Sequence, residues 1–168
     1  MGLCKIRSYN YVRAAIFGKK PTLTDRVVGW RSYPQTHTEW QHSGRYGNVS
    51  FSSTMMDKNK GGRFKDIGYT HLIERWDTVY VQLTDHEEDL AYNEAARMDG
   101  MPYDLVGQLC HLTKWKIFKP SKKKVWCTRA VGGIIYAARP DFREFLDKYG
   151  LVEELKPDTM HMMAGYYF

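Results

Sequence analysis

The sequence predicts a single α+β domain in which an antiparallel sheet carries helices packed on one face. Segments in the first half alternate apolar and polar residues, which is the period of a strand. Segments in the second half repeat apolar residues at helical spacing. Strands followed by helices are typical of the α+β class. With 168 residues and a hydrophobic fraction of 43%, residues 1–168 have enough apolar material for one core, so we expect one domain.

The strands are expected in the first half of the chain, after a start that shows only a short helix ended by Gly18. Val27, Val28 and Trp30 predict one strand, and a turn at Tyr33-Pro34 leads into the next. Strands are predicted over residues 24–32, 36–41, 48–55, 63–67 and 78–83, the short helix over 11–17, a turn over 44–47 and a loop over 57–62.

The helices follow from capping residues and from glycines and prolines that end them. Thr84 and Glu87 form a capping box at the start of the first long helix, and Gly100 ends it. Asp141 is expected to cap a later helix that follows Pro140. The other helices are predicted over residues 103–112, 126–138 and 142–149, and the tail 157–168 is rich in Met and Tyr.

Composition and charge limit the classes of partner. A formal charge of +6 and a pI near 9.2 suit an anionic partner, and they equally suit a soluble protein kept away from its isoelectric point. The lysine run 122–124 has no nucleic-acid-binding motif beside it, so we expect no nucleic-acid partner. The sequence has no metal-ligand spacing, signal peptide or long apolar run. We therefore expect no metal, no cofactor and no membrane span, with synthesis in a cytoplasm.

Cys127 is the most informative residue of the chain. Cys4, Cys110 and Cys127 are too few for a disulfide framework, which indicates a reducing compartment. Cys127 follows a basic loop and begins an apolar helical pattern, and the positive end of a helix dipole favours the thiolate. It also shares its stripe with Val131 and Ile134, so a buried structural thiol is the alternative.

His37 is the candidate partner of this cysteine. It lies ninety residues earlier in an alternating segment, and a helix-borne cysteine facing a strand-borne histidine is the pair that cysteine hydrolases use. A histidine that is merely buried on its strand is the alternative.

Several short motifs occur in a characteristic order. They are T-H-T-E-W around His37, F-S-S-T at 51–54, G-G-R-F-K-D-I at 61–67, D-G-M-P-Y-D-L-V-G at 99–107, W-C-T-R-A-V at 126–131 and L-K-P-D-T-M at 155–160. This order resembles the circularly permuted branch of the NlpC-type papain-like hydrolases, the YiiX/YaeF-like group, and most of all its short phage and viral forms. The resemblance implies a papain-like fold with Cys127 as nucleophile and His37 as base.

The resemblance also implies a polar third residue on the strand that follows the histidine. Ser52 is the first choice, and Ser53 and Glu39 stay open. Glu39 shares a strand face with His37 but lies about 7 Å further along, so we expect it to flank the site and contact substrate.

Two aromatic residues complete the predicted site. Tyr103 matches the family tyrosine near the active site, where its hydroxyl would help to bind the substrate or the oxyanion. The alternative is a core tyrosine with a hydrogen-bonded hydroxyl. Trp126, beside the cysteine, is expected at the substrate. The family motif C-S-E reads Cys127-Thr128-Arg129 here, with the charge of its third residue reversed.

We therefore expect a cysteine hydrolase that cleaves an amide bond of a peptide, peptidoglycan or isopeptide, or a (thio)ester, in an acylated or peptide-like substrate. The alternative is a catalytically inactive phage structural or interaction protein that keeps the fold and binds a virion or host protein, for example through the Met-Tyr tail. Host cytoplasm and virion both stay open as places of action.

Overall fold

The structure is a computed structural model that describes residues 1–30, 32–55, 61–66, 73–113, 121–150 and 155–168. The strands are β1 (Gly2–Asn10), β2 (Gln35–Gln41), β3 (Ser50–Thr54), β4 (Gly61–Lys65) and β5 (Trp76–Leu83). The helices are α1 (Tyr11–Ile16), α2 (Leu23–Gly29), α3 (Asp85–Met98), α4 (Leu105–Thr113), α5 (Cys127–Ala138), α6 (Pro140–Lys148) and α7 (Pro157–Tyr167).

The five strands form one antiparallel sheet in the order β4-β3-β2-β1-β5, so the α+β class is confirmed. Ile6, Trp40 and Phe51 lie in neighbouring strands on one face and are completely buried. Helices α5 and α7 pack against the strands on this side, and α3 packs against α5. The other face carries polar side chains, among them Arg7 and Glu39, which are paired across β1 and β2.

Strand β1 is the main element missing from the sequence prediction. It lies between β2 and β5 and alternates buried Cys4 and Ile6 with Lys5 and Arg7. The sequence of β1 alternates apolar and polar residues. Its polar face carries charged side chains, although β1 lies between two other strands. Charged residues usually indicate an exposed strand or a loop.

The strand predicted around Val27, Val28 and Trp30 is wrong, because these residues belong to helix α2 and its end. Thr22 caps this helix and Asp25 completes a capping box, with the Asp25 backbone N–H donating to Thr22 Oγ1 over 3.1 Å. The helix-capping residues therefore determined the local structure more strongly than the β-branched side chains, which favour a strand.

The other predicted elements are confirmed with shifted ends. The Thr84–Glu87 capping box begins α3, and α5 covers almost all of the predicted 126–138 segment. Strand β4 begins at Gly61, inside the predicted loop, and residues 56–60 and 67 lie outside the described residues. Helix α6 begins at Pro140 rather than after Asp141, and the Met-Tyr tail forms α7, whose Met160 and Ala164 are buried in the core.

Candidate active site

Cys127 is the first residue of α5, as predicted. Trp126 precedes it in an extended conformation, and its side chain makes no capping hydrogen bond. The first bond of this helix runs from the Ala130 N–H to the Trp126 carbonyl over 2.9 Å. The N–H groups of the first turn, including that of Cys127, therefore have no acceptor within the helix and give its start a positive potential.

Backbone hydrogen bonds hold the segment before Cys127 in place. The Val125 N–H donates to the Pro102 carbonyl over 3.0 Å, and the Asp104 N–H donates to the Val125 carbonyl over 3.1 Å. The same Val125 carbonyl accepts a bond of 2.8 Å from Ser53 Oγ. Ser53, one of the three candidates for the third catalytic residue, thus anchors the approach to the cysteine and does not contact the histidine.

Two glycines, Gly62 of β4 and Gly100 after α3, connect the sheet to the residues that hold Val125. The Gly62 N–H donates to the Met101 carbonyl over 2.9 Å, and the Gly100 N–H donates to the Gly62 carbonyl over 2.9 Å. A Cβ at Gly62 would collide with the Met98 carbonyl oxygen, so only glycine allows this close approach. The motifs G-G-R and D-G-M-P-Y therefore position the cysteine through the backbone.

His37 is placed by an irregularity in β2. Tyr9 is paired with His37 but Asn10 with Gln35, so Thr36 is an extra residue in β2. Such a bulge turns the neighbouring side chains and is common next to active sites. The Thr36 hydroxyl donates to Asp25 Oδ1 of α2 over 3.1 Å, which ties the bulge to the helix before it.

The cysteine meets β2 where this strand separates from β3. The ladder between the two strands contains Gln41 with Ser50 and Trp40 with Phe51. The His42 N–H donates to Val49 on the β3 side, and alternate N–H groups of a strand point the same way, so the Thr38 N–H also points towards β3. It lies close enough to Cys127 to help to lower the pKa of the thiol.

The side chains of Cys127 and His37 lie close enough for each to shift the pKa of the other. Burial alone would lower the pKa of His37, but the hydrogen bonds and charges of Cys127 and Glu39 outweigh it and raise this pKa to about 9. Burial alone would raise the pKa of Cys127, but the hydrogen bond and charge of His37 lower it below its ordinary value. Both shifts favour a thiolate–imidazolium pair.

Two oxygens lie against the other side of the imidazole. His37 Nε2 is 3.4 Å from Glu39 Oε1 and 3.3 Å from Ser52 Oγ, so Nδ1 is the ring nitrogen left for the thiol. Glu39 is buried and also accepts a bond of 3.1 Å from Lys65 Nζ. Burial would raise the pKa of Glu39, but His37 and then Lys65 hold it well below its usual range.

Ser52 and Glu39 are therefore both brought to the histidine. The sequence placed Glu39 beside the site as a substrate contact, whereas it lies behind His37 and is 1% exposed. The twist and pleat of β2 bring the side chains of His37 and Glu39, which are two residues apart on one face, within reach of each other. The distance expected from the sequence was taken along the strand and did not include this effect.

Tyr103 lies close enough to Cys127 for their charges to interact. Burial, and then the charge of Cys127, raise the pKa of Tyr103, so its hydroxyl stays protonated. This hydroxyl donates to Gln108 Oε1 over 2.6 Å. Gln108 is buried on α4 and was missed, because a glutamine within a predicted helix gives no signal of its own.

Trp126 is only 6% exposed, which leaves little of its ring for a substrate. The Arg129 guanidinium lies over the ring at 5.3 Å from its centroid and donates to the Ser121 carbonyl over 2.6 Å. Asp104 accepts from the Gly107 and Ser121 N–H groups over 2.9 and 3.1 Å. Arg129, whose charge is opposite to that of the family residue, thus connects the basic loop to the start of α5.

The described residues contain no cluster of three or more His, Cys, Asp or Glu side chains that would hold a metal ion. None of the described helices has the length and apolar character needed to cross a bilayer. The fold and the site define an α+β protein with a buried cysteine–histidine pair. No protein-family model matches the chain, and neither curated proteins nor solved structures gave a significant match.

Proposed function

We propose that this protein is a cysteine hydrolase of the papain-like, permuted NlpC type that cleaves an amide or (thio)ester bond through Cys127 and His37. The observation that carries the proposal is the proximity of these two side chains, each of which shifts the pKa of the other, with Glu39 Oε1 3.4 Å from the imidazole Nε2. A cysteine at a helix start that faces a histidine on an antiparallel strand is the arrangement expected of a papain-like enzyme. An activated thiolate near neutral pH is what acyl transfer requires.

In the first half of the reaction, Cys127 Sγ attacks the carbonyl carbon of the substrate and forms a carbon–sulfur bond. The carbonyl electron pair moves to oxygen and returns as the bond to the leaving group breaks. His37 gives its proton to the leaving nitrogen, oxygen or sulfur and becomes neutral. The product of this half is an acyl-enzyme.

In the second half, neutral His37 removes a proton from water while the hydroxide attacks the acyl carbon. The carbon–sulfur bond breaks, Cys127 leaves as the thiolate, and His37 is again protonated. Glu39 stabilises the imidazolium in both halves, because its carboxylate lies 3.4 Å from Nε2. Glu39 is therefore the orienting acid in our proposal, and Ser52 adds a weaker contact.

The oxyanion would be stabilised at the start of α5. The Cys127 N–H has no acceptor within the helix and is directed along the helix axis. Losing one such donor typically costs on the order of 2.7–4 kcal/mol of transition-state stabilisation. The protonated hydroxyl of Tyr103 is a second donor if a substrate draws it away from Gln108.

Two observations favour the alternative, a binding protein without chemistry. Cys127 is 1% exposed, so a substrate reaches the sulfur only if neighbouring side chains move. Helix α7 also leaves Met162 and Tyr166 exposed, at 63% and 78%, as contacts for a partner. An inert Cys127 would favour this function.

The test is the rate of Cys127 alkylation by iodoacetamide as a function of pH, in the wild type and in His37→Ala. We expect rapid reaction below pH 7 in the wild type and an ordinary thiol profile, near pH 8.5, in the variant. Slow alkylation that does not depend on His37 would overturn the proposal. The proteins are compared at matched folded fractions, measured by circular dichroism.

A further inference from the structure

Arg7 is a buried cation close to the candidate active site. It lies in strand β1, between β2 and β5, directly opposite Glu39 and on the sheet face that carries His37. Its residue is 5% exposed. Its guanidinium lies over the Trp76 ring, 4.8 Å from the centroid, and the same ring makes an edge contact of 6.1 Å with the His37 ring. Arg7, Trp76 and His37 therefore form one cluster.

None of the described residues accepts a hydrogen bond from this guanidinium. Among the described residues, Arg7 makes no side-chain hydrogen bond and no ion pair, although arginine carries five N–H donors. Its nitrogens are absent from the fully buried atoms that lack a partner, so each keeps some access to solvent. Burying a charge without a partner is costly, and such a group needs an explanation.

Glu39 does not provide that explanation. Its carboxylate is held by Lys65 at 3.1 Å and by His37 at 3.4 Å, and its second oxygen accepts from Ser50 over 3.2 Å. Arg7 feels the charge of Glu39 but lies beyond ion-pair distance of it. The planar donor fork of Arg7 thus stays available for another anion.

We propose that Arg7 binds an oxyanion of the substrate, a carboxylate or a phosphate, and that Trp76 holds the guanidinium in place between this group and His37. The inference rests on the proposed hydrolase function. Arginine binds both kinds of oxyanion through two parallel hydrogen bonds, which makes it selective for an anionic substrate.

The position of Arg7 also predicts how far this anion lies from the bond that is cleaved. Arg7 is one strand away from His37 and two residue pairs further along, which corresponds to roughly 8 Å between their Cα atoms. The anionic group would therefore be separated from the scissile carbonyl by several bonds.

The experiment uses thiol-directed probes with a variable spacer. N-iodoacetyl derivatives of glycine, β-alanine and 4-aminobutyrate would alkylate Cys127 in the full chain, each compared with its neutral carboxamide and with an aminoalkylphosphonate of equal length. Labelling at Cys127 is followed by peptide mass spectrometry. In the wild type we expect at least one anionic probe to react about tenfold faster than its neutral counterpart, with saturation at high probe concentration.

Variants assign this preference to Arg7. Arg7→Met should abolish the anionic preference, measured in each variant as the ratio of the rates with an anionic probe and with its neutral carboxamide, and Arg7→Lys should keep part of it. The matched control is Lys5→Met, which removes an equal charge from the same face of β1, beside Tyr80. Thermal unfolding of each variant reports whether it is folded. If Arg7→Met does not fold, the comparison of Arg7→Lys with Lys5→Met decides.

The outcomes separate the two proposals. If Cys127 is unreactive towards iodoacetamide, the hydrolase function fails. If Cys127 is reactive but anionic and neutral probes react equally, or if Lys5→Met removes the preference as well as Arg7→Met, the oxyanion site is wrong. Preference for the carboxylate over the phosphonate series, or the reverse, identifies the anion.

Discussion

Two buried cysteines in this molecule have acidic or basic neighbours, and their environments act in opposite directions. Cys127 faces His37, which lowers the pKa of the thiol against the effect of burial. Cys4 lies 3.5 Å from Glu88 Oε1, and burial, followed by the charge and hydrogen bond of Glu88, raises its pKa to about 12. A cysteine with an imidazole as its partner can lose its proton inside the protein, whereas one with a carboxylate retains it.

The histidines follow the same division. His37 has a carboxylate on one side and a thiol on the other, and its pKa is raised to about 9. His42 is buried among aromatic rings and accepts a bond of 3.3 Å from Trp40 Nε1, and burial lowers its pKa to about 4 despite the charge of Glu88. Residue type and burial alone therefore do not mark a reactive site. A reactive site is identified by a carboxylate, an imidazole and a thiol that lie next to one another in that order.

The largest expected effect is on turnover. Cys127→Ala should reduce hydrolysis of a p-nitrophenyl ester by a factor on the order of 10⁴ or more, since the nucleophile is lost. Cys4→Ala should leave the rate within about twofold, because Cys4 is on the core face of β1. Initial rates and the burst of p-nitrophenol measure both. Equal losses in the two variants would show that the difference between the cysteines has no functional meaning.

The second prediction concerns the pH at which each thiol reacts. The lowered pKa of Cys127 makes its thiolate available below pH 8.5, and the ion pair persists until His37 loses its proton near pH 9. Cys4, with a pKa of about 12, should stay unlabelled between pH 5 and pH 10 in the folded protein. Peptide-resolved mass spectrometry after a brief exposure to iodoacetamide distinguishes the two sites. A common pH onset would contradict the comparison.

A feature of the fold or of the site could be predicted from the sequence when the residues that indicate it are close together in the chain. The capping box at Thr84 and the apolar stripe of α5 are local, and both were predicted correctly. The Cys127–His37 contact is not local, but residue chemistry and motif order together predicted it. Arg7 and Gln108 gave no signal, because the importance of a buried polar residue depends on which strands and helices become its neighbours.

The ambiguity between Ser52 and Glu39 arose for the same reason. Strand parity placed Glu39 on the face of His37, but the sequence contains neither the bulge at Thr36 nor the pairing of Lys65 with Glu39. Both depend on tertiary structure. The wrong strand at α2 is a different kind of error, since the capping residues Thr22 and Asp25 were visible in the sequence.

The third prediction compares Glu39 with a second buried glutamate, Glu88. Glu39→Gln should destabilise the fold by roughly 3 kcal/mol at pH 7, because it removes a buried carboxylate that accepts from Lys65 and stabilises protonated His37. The Glu39 pKa is lower in the folded than in the unfolded chain, so its stabilisation is complete above pH 4.5 and is lost as pH falls through the folded-state pKa. Urea unfolding at pH 7 and pH 3 should therefore show a smaller difference from wild type at pH 3.

Glu88→Gln is the matched control for this substitution. Glu88 accepts from Cys4 and from the Ser43 N–H over 2.9 Å, and its Oε2 has no partner among the described residues. A glutamine Oε1 can accept the same two hydrogen bonds, so we expect a loss of about 1 kcal/mol or less at pH 7. A larger loss for Glu88→Gln than for Glu39→Gln would reverse our view of which carboxylate carries a paired charge.

The smallest expected effect distinguishes the two candidates for the third residue. Ser52→Ala should lower ester hydrolysis less than fivefold, because the distance from Ser52 Oγ to His37 Nε2 is 3.3 Å, beyond the usual range for a strong bond, and Ser52 has no charge to stabilise the imidazolium. Glu39→Gln should lower it more and move the upper limb of the pH–rate profile to lower pH, since the pKa of His37 falls when the carboxylate charge is removed. Ser53→Ala is the control, because its hydroxyl binds Val125 and not the imidazole, and it should cost about 1 kcal/mol of stability without moving the profile. If Ser52→Ala instead slows the enzyme more than Glu39→Gln at matched folded fractions, Ser52 orients the base and Glu39 serves only to balance the charge of Lys65.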